Sequence, residues 1–371
     1  YLFLLQLVAL VNLHAQDLTI TGGWLVDVSQ AEIKPNPGIN IKSGKIVGFG
    51  TSNGEMVKTI ALDADDYILP GLIDLHAHYR VAHQGVAKDD TVVMSRLFLA
   101  NGITATFPAG EVEPVKMRQL SGRIASGEVP GPRILHSGPY FGTAAPDWDP
   151  NNSVEDVNRM VDYWAGLGVK GFKAKGITPV HLEALIKRAH LHGLTVTAHL
   201  NSGVRGSVNP SQAIDMGIDR IEHFLGGELL SDTAHAYVSL ALLDPNDPKL
   251  DRIIAKYVKN QIYFDATVAT YGAIGMVNEP VFEQWAPEES YLTSYARGLI
   301  DSYSRSDFSR LCENIYYVKK QVVKRFFDAG GLITIGSDRP LLLDNYLGTG
   351  LGGFFLHREM QVLVASGIDP L

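Results

Sequence analysis

A chain of 371 residues is longer than one small domain needs, and has room for a barrel of roughly 250 residues plus a smaller appendage. It is 46% hydrophobic and 19% charged, the make-up of an ordinary globular protein; a net charge of −8 with no basic stripe and no aromatic–basic interleaving speaks against a nucleic-acid partner. Cys312 is the only cysteine, which excludes an internal disulfide and a cysteine-based zinc site and leaves any metal chemistry to the 12 histidines.

The first residues, Tyr1-Leu2-Phe3-Leu4-Leu5-Gln6-Leu7-Val8-Ala9-Leu10-Val11 and then Asn12-Leu13-His14-Ala15-Gln16, have the apolar core of a secretory signal peptide with cleavage near Ala15. The run is shorter than the roughly 20 apolar residues of a membrane span, so no stable membrane insertion is expected and the mature protein is expected to be exported, periplasmic or secreted. No initiator Met and no charged leader precede it, so the gene is expected to start upstream. After residues 1–16, residues 17–67 read as a small antiparallel β unit. Short apolar or alternating runs at 18–21, 24–28, 39–42 and 46–49 are separated by the turn signals Gly22-Gly23, Pro35-Asn36-Pro37-Gly38 and Ser43-Gly44-Lys45.

From residue 68 to 371 strand-like and helix-like segments alternate. The expected strands are 72–78, 103–109, 133–140, 170–175, 195–200, 220–224, 262–268 and 332–338. Helical patterns at 90–101, 114–125, 154–167, 179–192, 251–259 and 307–329 lie among them, several closed by a glycine such as Gly102, Gly168, Gly193 or Gly330. Eight strands alternating with helices predict an α/β protein whose parallel sheet closes as a (β/α)8 TIM-type barrel. A doubly wound open sheet is the alternative, but no Gly-x-Gly-x-x-Gly follows an early strand to support its dinucleotide-binding form. The chain stops in or just after a helical pattern that begins near Phe354, with no closing domain behind it, so the C-terminus reads as truncated.

The chemistry gathers at the expected strand ends. The first strand finishes Ile73-Asp74-Leu75-His76-Ala77-His78, and residues i and i+2 of a strand share a face, so His76 and His78 reach one point together. The fourth carries Lys173 and Lys175, the fifth ends in His199, the sixth in Glu222-His223 and the eighth in Ser337-Asp338. Each has a plain structural reading: a hydrogen-bonded rim histidine, an aspartate capping the next helix, a lysine reaching solvent. Six such residues on five strands point instead to one site, since catalytic groups of a barrel lie at the C-terminal strand ends. Imidazole and carboxylate suit zinc and neighbouring divalent metals, and a lysine held in a closed site loses its ammonium proton readily. His83, His136, His181, His190, His192, His235 and His357 lie on helices, on loops or on a strand without such company and are read as structural.

With the run from Leu69 through Pro70-Gly71-Leu72 to His78, and then His199, His223 and Asp338 in that order, the chain resembles the amidohydrolase superfamily from about residue 18 to 368. The stretch 169–199, preceded by Arg133-Ile134-Leu135-His136-Ser137-Gly138-Pro139, is similar to the branch holding imidazolonepropionase-like proteins and Xaa-Pro dipeptidases. The small β domain would then be half of a composite sandwich. The resemblance implies one or two divalent ions, zinc before others: one on His76, His78 and Asp338, a second on His199 and His223, and a carboxylated Lys173 between them. Lys175, on the same strand face, is the alternative lysine. It further implies that a metal-activated hydroxide attacks an amide or other C–N bond of a small substrate, with Asp338 as general base and then acid. Dipeptides, N-acyl amino acids and cyclic amides are the expected substrates. A mononuclear deaminase, which needs no such lysine, and a non-catalytic protein retaining the fold are the rivals. Tyr140, Arg205 and Arg339, on loops after the third, fifth and eighth strands, are candidates for holding substrate. Assembly as a homo-oligomer is left open.

Overall fold

The computed structural model describes residues 17–50, 58–202, 206–283, 293–302, 304–342 and 352–370. The expected leader and Arg205 lie outside the described residues. The chain divides into two compact units, one of residues 1–70 with Leu371, the other of residues 71–370.

The first unit holds two sheets. In one, Lys45–Phe49, Ile39–Lys42, Leu18–Thr21 and Lys58–Ala61 are neighbours in that order; in the other, Glu32–Pro35, Trp24–Asp27 and Tyr67–Ile68. Ser43 and Gly44 both have positive φ, 50° and 75°, the left-handed pair that a two-residue hairpin between right-twisted strands requires. The unit is not purely antiparallel as expected. Leu18–Thr21 runs parallel to Lys58–Ala61 and Trp24–Asp27 parallel to Tyr67–Ile68, because the chain crosses over between the pairs instead of turning back directly.

In the second unit the strands Leu72–Ala77, Ile103–Pro108 and Arg133–Ile134 form one parallel sheet. Tyr140–Phe141, Gly171–Lys175, Thr195–His199, Arg220–Glu222, Tyr263–Asp265 and Leu332–Thr334 form a second, parallel throughout and in chain order. The third expected strand is therefore two short pieces in different sheets. Residues 135–139 between them keep single backbone bonds to both neighbours, Leu135 N–H to Thr106 O at 2.7 Å and Lys170 N–H to His136 O at 2.7 Å. Beyond Thr334 the chain still touches the first strand, through Leu75 N–H to Ile335 O at 3.1 Å and Asp338 N–H to His76 O at 2.9 Å. A hairpin absent from the sequence reading, Arg80–His83 with Val86–Asp89, turns at Gln84-Gly85, both at positive φ.

Helices start where polar side chains can cap them. Ser153 and Asp156 form a reciprocal capping box ahead of Val154–Gly166, and Thr178 caps Pro179–Leu191. The helix expected from residue 90 begins only at Met94, because the Asp90 carboxylate accepts from the N–H groups of Val92, Val93 and Met94 and takes up the first turn as a cap.

The period of two along each strand sorts the core from the site. Phe172, Ala174, Val196, Ala198, Ile221 and Phe264 are buried among helix residues such as Val157, Leu182, Leu185 and Phe326. Burying each large side chain there contributes about 1.5–3 kcal/mol. The alternate residues Lys173, Thr197, Glu222 and Asp265 are buried on the opposite face, and that face carries the chemistry. Gly336 lies tight against the first strand: a Cβ there would lie 2.2 Å from the His76 Cβ and 2.9 Å from the His76 nitrogen. Since the nearest atoms belong to the first strand and cannot swing away, Gly336→Ala should cost about 1–3 kcal/mol in denaturant unfolding by overpacking. An unchanged unfolding midpoint would show that the first strand gives way to a methyl group there.

Candidate metal centre

His76 and His78 share the inner face of the first strand as their spacing demands, with ring centroids 5.2 Å apart. Asp338 meets both: its Oδ1 lies 3.1 Å from His78 Nε2 and 3.2 Å from His76 Nε2. His223 stands 5.3 Å from His76 by ring centroids, and its Nε2 lies 3.8 Å from Asp338 Oδ2. His199 completes the row, 4.6 Å from the His223 ring. Two sets of donor atoms, His76–His78–Asp338 and His76–Glu222–His223, each lie within 4.8 Å of one another, close enough for one ion.

Backbone conformation decides two of these positions. The strand Arg220–Glu222 stops before His223, whose φ is 67°, and Asp338, beyond the last strand, has φ 41°. A regular strand would send Glu222 and His223 to opposite faces. The left-handed turn at His223 breaks that alternation, so both reach the same space.

The imidazoles are held from behind. His76 Nδ1–H donates to Asp265 Oδ2 at 2.6 Å, leaving Nε2 toward Asp338, and His223 Nδ1–H donates to Thr267 Oγ1 at 2.7 Å. Asp74, on the same strand face as the histidines, accepts from the Ser337 hydroxyl at 2.6 Å and from the backbone N–H groups of Ser337 and His76, and so ties the two ends of the sheet at the site. Burial pulls the His78 imidazole down to about 4 and those of His199 and His223 well below their ordinary range, so all three are neutral and offer lone pairs. Burial would raise the Asp338 carboxyl, but the surrounding His76, His223 and His78 outweigh it and hold the group well below the usual carboxylate range. Neutral inward imidazoles, their far nitrogens anchored, around an ionised carboxylate make a donor set that fits a divalent cation.

Lys173 is 2% exposed and Lys175 exposed, so the two lysines on one strand face differ in depth. Lys173 Nζ donates to Glu222 Oε2 instead of facing His199; Lys175 is the strand neighbour level with His199. Burial, and then the charge of Lys175, push the Lys173 ammonium well below its ordinary range.

Of the three substrate candidates, Tyr140 is buried and lines a cavity of about 220 Å³ with Glu111, Trp148 and Trp164. Arg339, read from the sequence as a candidate for holding substrate, lies inside the fold. It is 1% exposed, its guanidinium 4.8 Å over the Phe355 ring of the helix Gly352–Ala365, because its long side chain finds an aromatic face inside the fold. Of the histidines read as structural, His181 bonds Thr178 and Asn152, His190 bonds Asp219, His192 bonds Asp162 and His136 bonds Glu111.

Carboxylate and imidazole groups gathered at strand ends of a parallel α/β scaffold could hold a metal ion. The Amidohydrolase family matches residues 67–268, more than half of the chain, and the chain belongs to that family of hydrolases acting on carbon–nitrogen bonds. Family membership carries the use of divalent metal. Comparison with curated proteins gave no match. Among solved structures, a Xaa-Pro dipeptidase with methionine bound in its active site is similar at 18% identity and TM-score 0.65, over 95% of this chain and 84% of that one. A putative prolidase from Bifidobacterium longum is similar at 18% identity and TM-score 0.65, over 96% and 80%. The A. niger ochratoxinase is similar at 16% identity and TM-score 0.62, over 96% and 81%. At these identities the likeness is one of fold, TIM-barrel-like α/β.

Sequence reasoning missed Glu222, Asp265 and Thr267. Glu222 was hidden by the assumption of strict alternation next to His223. Asp265 and Thr267 lie at the end of the seventh strand, the neighbour of the sixth and eighth, and the strand-end rule applied there would have found them. Asp265→Ala should release the His76 ring and weaken zinc binding about 10–100-fold while the far-ultraviolet spectrum is kept. Zinc titration of both proteins checks it, and equal affinities would remove Asp265 from the site.

Proposed function

We propose that this chain is a metal-dependent amidohydrolase that cleaves the C–N bond of a small peptide-like substrate. The observation that carries the reading is the convergence of His76 Nε2 and His78 Nε2 on Asp338 Oδ1 at 3.2 and 3.1 Å, beside the neutral His199 and His223. The two sheets of the second unit are read as one (β/α)8 barrel, supported by the backbone bonds from Leu75 to Ile335 and from Asp338 to His76. Zinc is the metal favoured by a nitrogen-rich set with one carboxylate.

His76, His78 and Asp338 would hold one ion, and His199 and His223 a second, with either Glu222 or a carboxylated Lys173 between them. A bound divalent ion supplies Lewis acidity toward the scissile carbonyl and makes water more acidic. The chain's own residues do the rest. Asp338, kept ionised by the imidazoles around it, takes a proton at a carboxylate oxygen and returns it to the departing nitrogen. Asp265 and Thr267 hold the outer nitrogens of His76 and His223 and so turn their inner nitrogens toward the space the ion would fill. Lys175, exposed and level with His199, is the cation we assign to a substrate carboxylate.

The buried Lys173, its ammonium disfavoured by burial, favours this reading over a mononuclear deaminase, which has no task for an amine there. The amine can take up carbon dioxide as a carbamate, although the Glu222 carboxylate in contact with it would oppose a second anion. The test is metal analysis joined to a screen of dipeptides, N-acyl amino acids and lactams. Lys173→Ala should lower kcat by at least about 100-fold, with partial rescue by a small carboxylate, whereas Lys175→Ala should chiefly raise KM. His199→Ala should keep the circular dichroism spectrum and lose metal. Full activity and unchanged metal content in Lys173→Ala would pass the bridging role to Glu222; stoichiometric metal without turnover of any C–N substrate would make the chain a binding protein.

A further inference from the structure

Two buried charges take no part in the site as described. Lys319, on the helix Asp307–Asp328, is 3% exposed and Glu359, on the helix Gly352–Ala365, is 2% exposed. Charges so deep are costly unless something specific holds them. Both converge on one turn, Ala266-Thr267-Val268-Ala269. Lys319 Nζ donates to Ala266 O, and Glu359 accepts the Val268 N–H at 2.9 Å and the Ala269 N–H at 2.6 Å. Burial pushes the Lys319 ammonium down and the Glu359 carboxyl up, so neither is there for its own ease.

Between these anchors Thr267 sits at φ 49° and ψ 46°, a left-handed conformation that a β-branched residue takes only when its surroundings compel it. Its hydroxyl donates to Ala266 O at 2.7 Å, which leaves the oxygen lone pairs to accept from His223 Nδ1–H at 2.7 Å. The direction of that bond sets the tautomer: with Nδ1 protonated, His223 Nε2 carries the free lone pair. The short helix Val268–Ile274 that continues the turn reaches Asp338, since Thr270 Oγ1 donates to Ser337 O at 2.8 Å and to Asp338 O at 3.2 Å.

We propose that Lys319 and Glu359 are positioning residues that clamp the 266–269 turn, so that Thr267 fixes His223 in its Nδ1–H tautomer with Nε2 presented to a divalent ion. This rests on reading the site as a metal centre. A pair that served only to pack two helices would affect stability without reaching His223.

The experiment compares wild type, Thr267→Val, Glu359→Gln, Lys319→Met and the double variant Thr267→Val with Glu359→Gln. Zinc affinity is measured by competition with a chromogenic chelator, and the His223 tautomer by nitrogen-15 histidine spectra of the metal-free proteins. Thr267→Val and Glu359→Gln should each weaken zinc binding about 10-fold or more. The double variant should bind no more weakly than Thr267→Val alone, because Glu359 acts through Thr267. Wild-type His223 should be protonated at Nδ1, and Glu359→Gln and Lys319→Met should mix the tautomers. Unchanged zinc affinity in Glu359→Gln, fully additive losses in the double variant, or a wild-type His223 protonated at Nε2 would each overturn the clamp. Wild type that takes up no zinc would sink the metal reading instead; the tautomer spectra, which need no metal, would still decide the clamp.

Discussion

The site depends on the backbone leaving the extended conformation at the right residues. Along a strand, side chains alternate between the helix-packed face and the inner face, so a strand alone can offer the centre only every second residue. His223, Thr267 and Asp338 all have positive φ at or just beyond strand ends. There the alternation stops and neighbouring residues can point the same way, which is how Glu222 and His223 come to share one space. Such conformations are unfavourable for residues other than glycine and persist where surrounding bonds over-determine them. Asp338 is held through its N–H by His76 O and through its carbonyl by Thr270, and Thr267 by the clamp on its flanks.

Burial gives the site its chemistry. In water an imidazole is half protonated near pH 6.5 and a lysine almost wholly charged at neutral pH. Inside the fold burial works against the charged forms: His78, His199, His223 and Lys173 all lose affinity for the proton because their charged forms cannot be solvated. The carboxylate among them moves the opposite way, since positive charge on its imidazole neighbours, the place a bound cation would take, favours its anion more than burial disfavours it. A set of neutral nitrogens around one anion is what a dipositive ion can complete.

Much of this was legible in the sequence, through the two periodicities. His76 and His78 at i and i+2, the alternation of strand and helix, and the strand-end places of His199, His223 and Asp338 needed only the periodicities and the rule that barrel chemistry lies at strand ends; their order and shared role as one ligand set came from the resemblance. The shortfall has one physical cause, that local pattern does not report where a strand stops. The third strand was read as one piece over 133–140, yet it holds the breaker Gly138-Pro139, and regular pairing stops at Ile134 and resumes only at Tyr140. Arg339 was read as a candidate for holding substrate from its place just after a strand; nothing local announced Phe355, which lies 16 positions on. Glu359 was illegible for the same reason, since its role exists only once distant segments meet.

That distance shapes the energetics. His76 and its partner Asp265 are 189 residues apart, and Asp74 and Ser337, which fix the first strand against the last, are 263 apart. Closing such separations costs entropy that no local segment can offset alone. The donors therefore cannot be pre-assembled in the unfolded chain. The first strand supplies ligands, and residues from the last third of the chain fix their tautomers and aim, so the centre is a property of the whole second unit. Free energy gained by holding an ion among these donors is then gained by the folded unit as a whole, because the unfolded chain has no comparable site to offer.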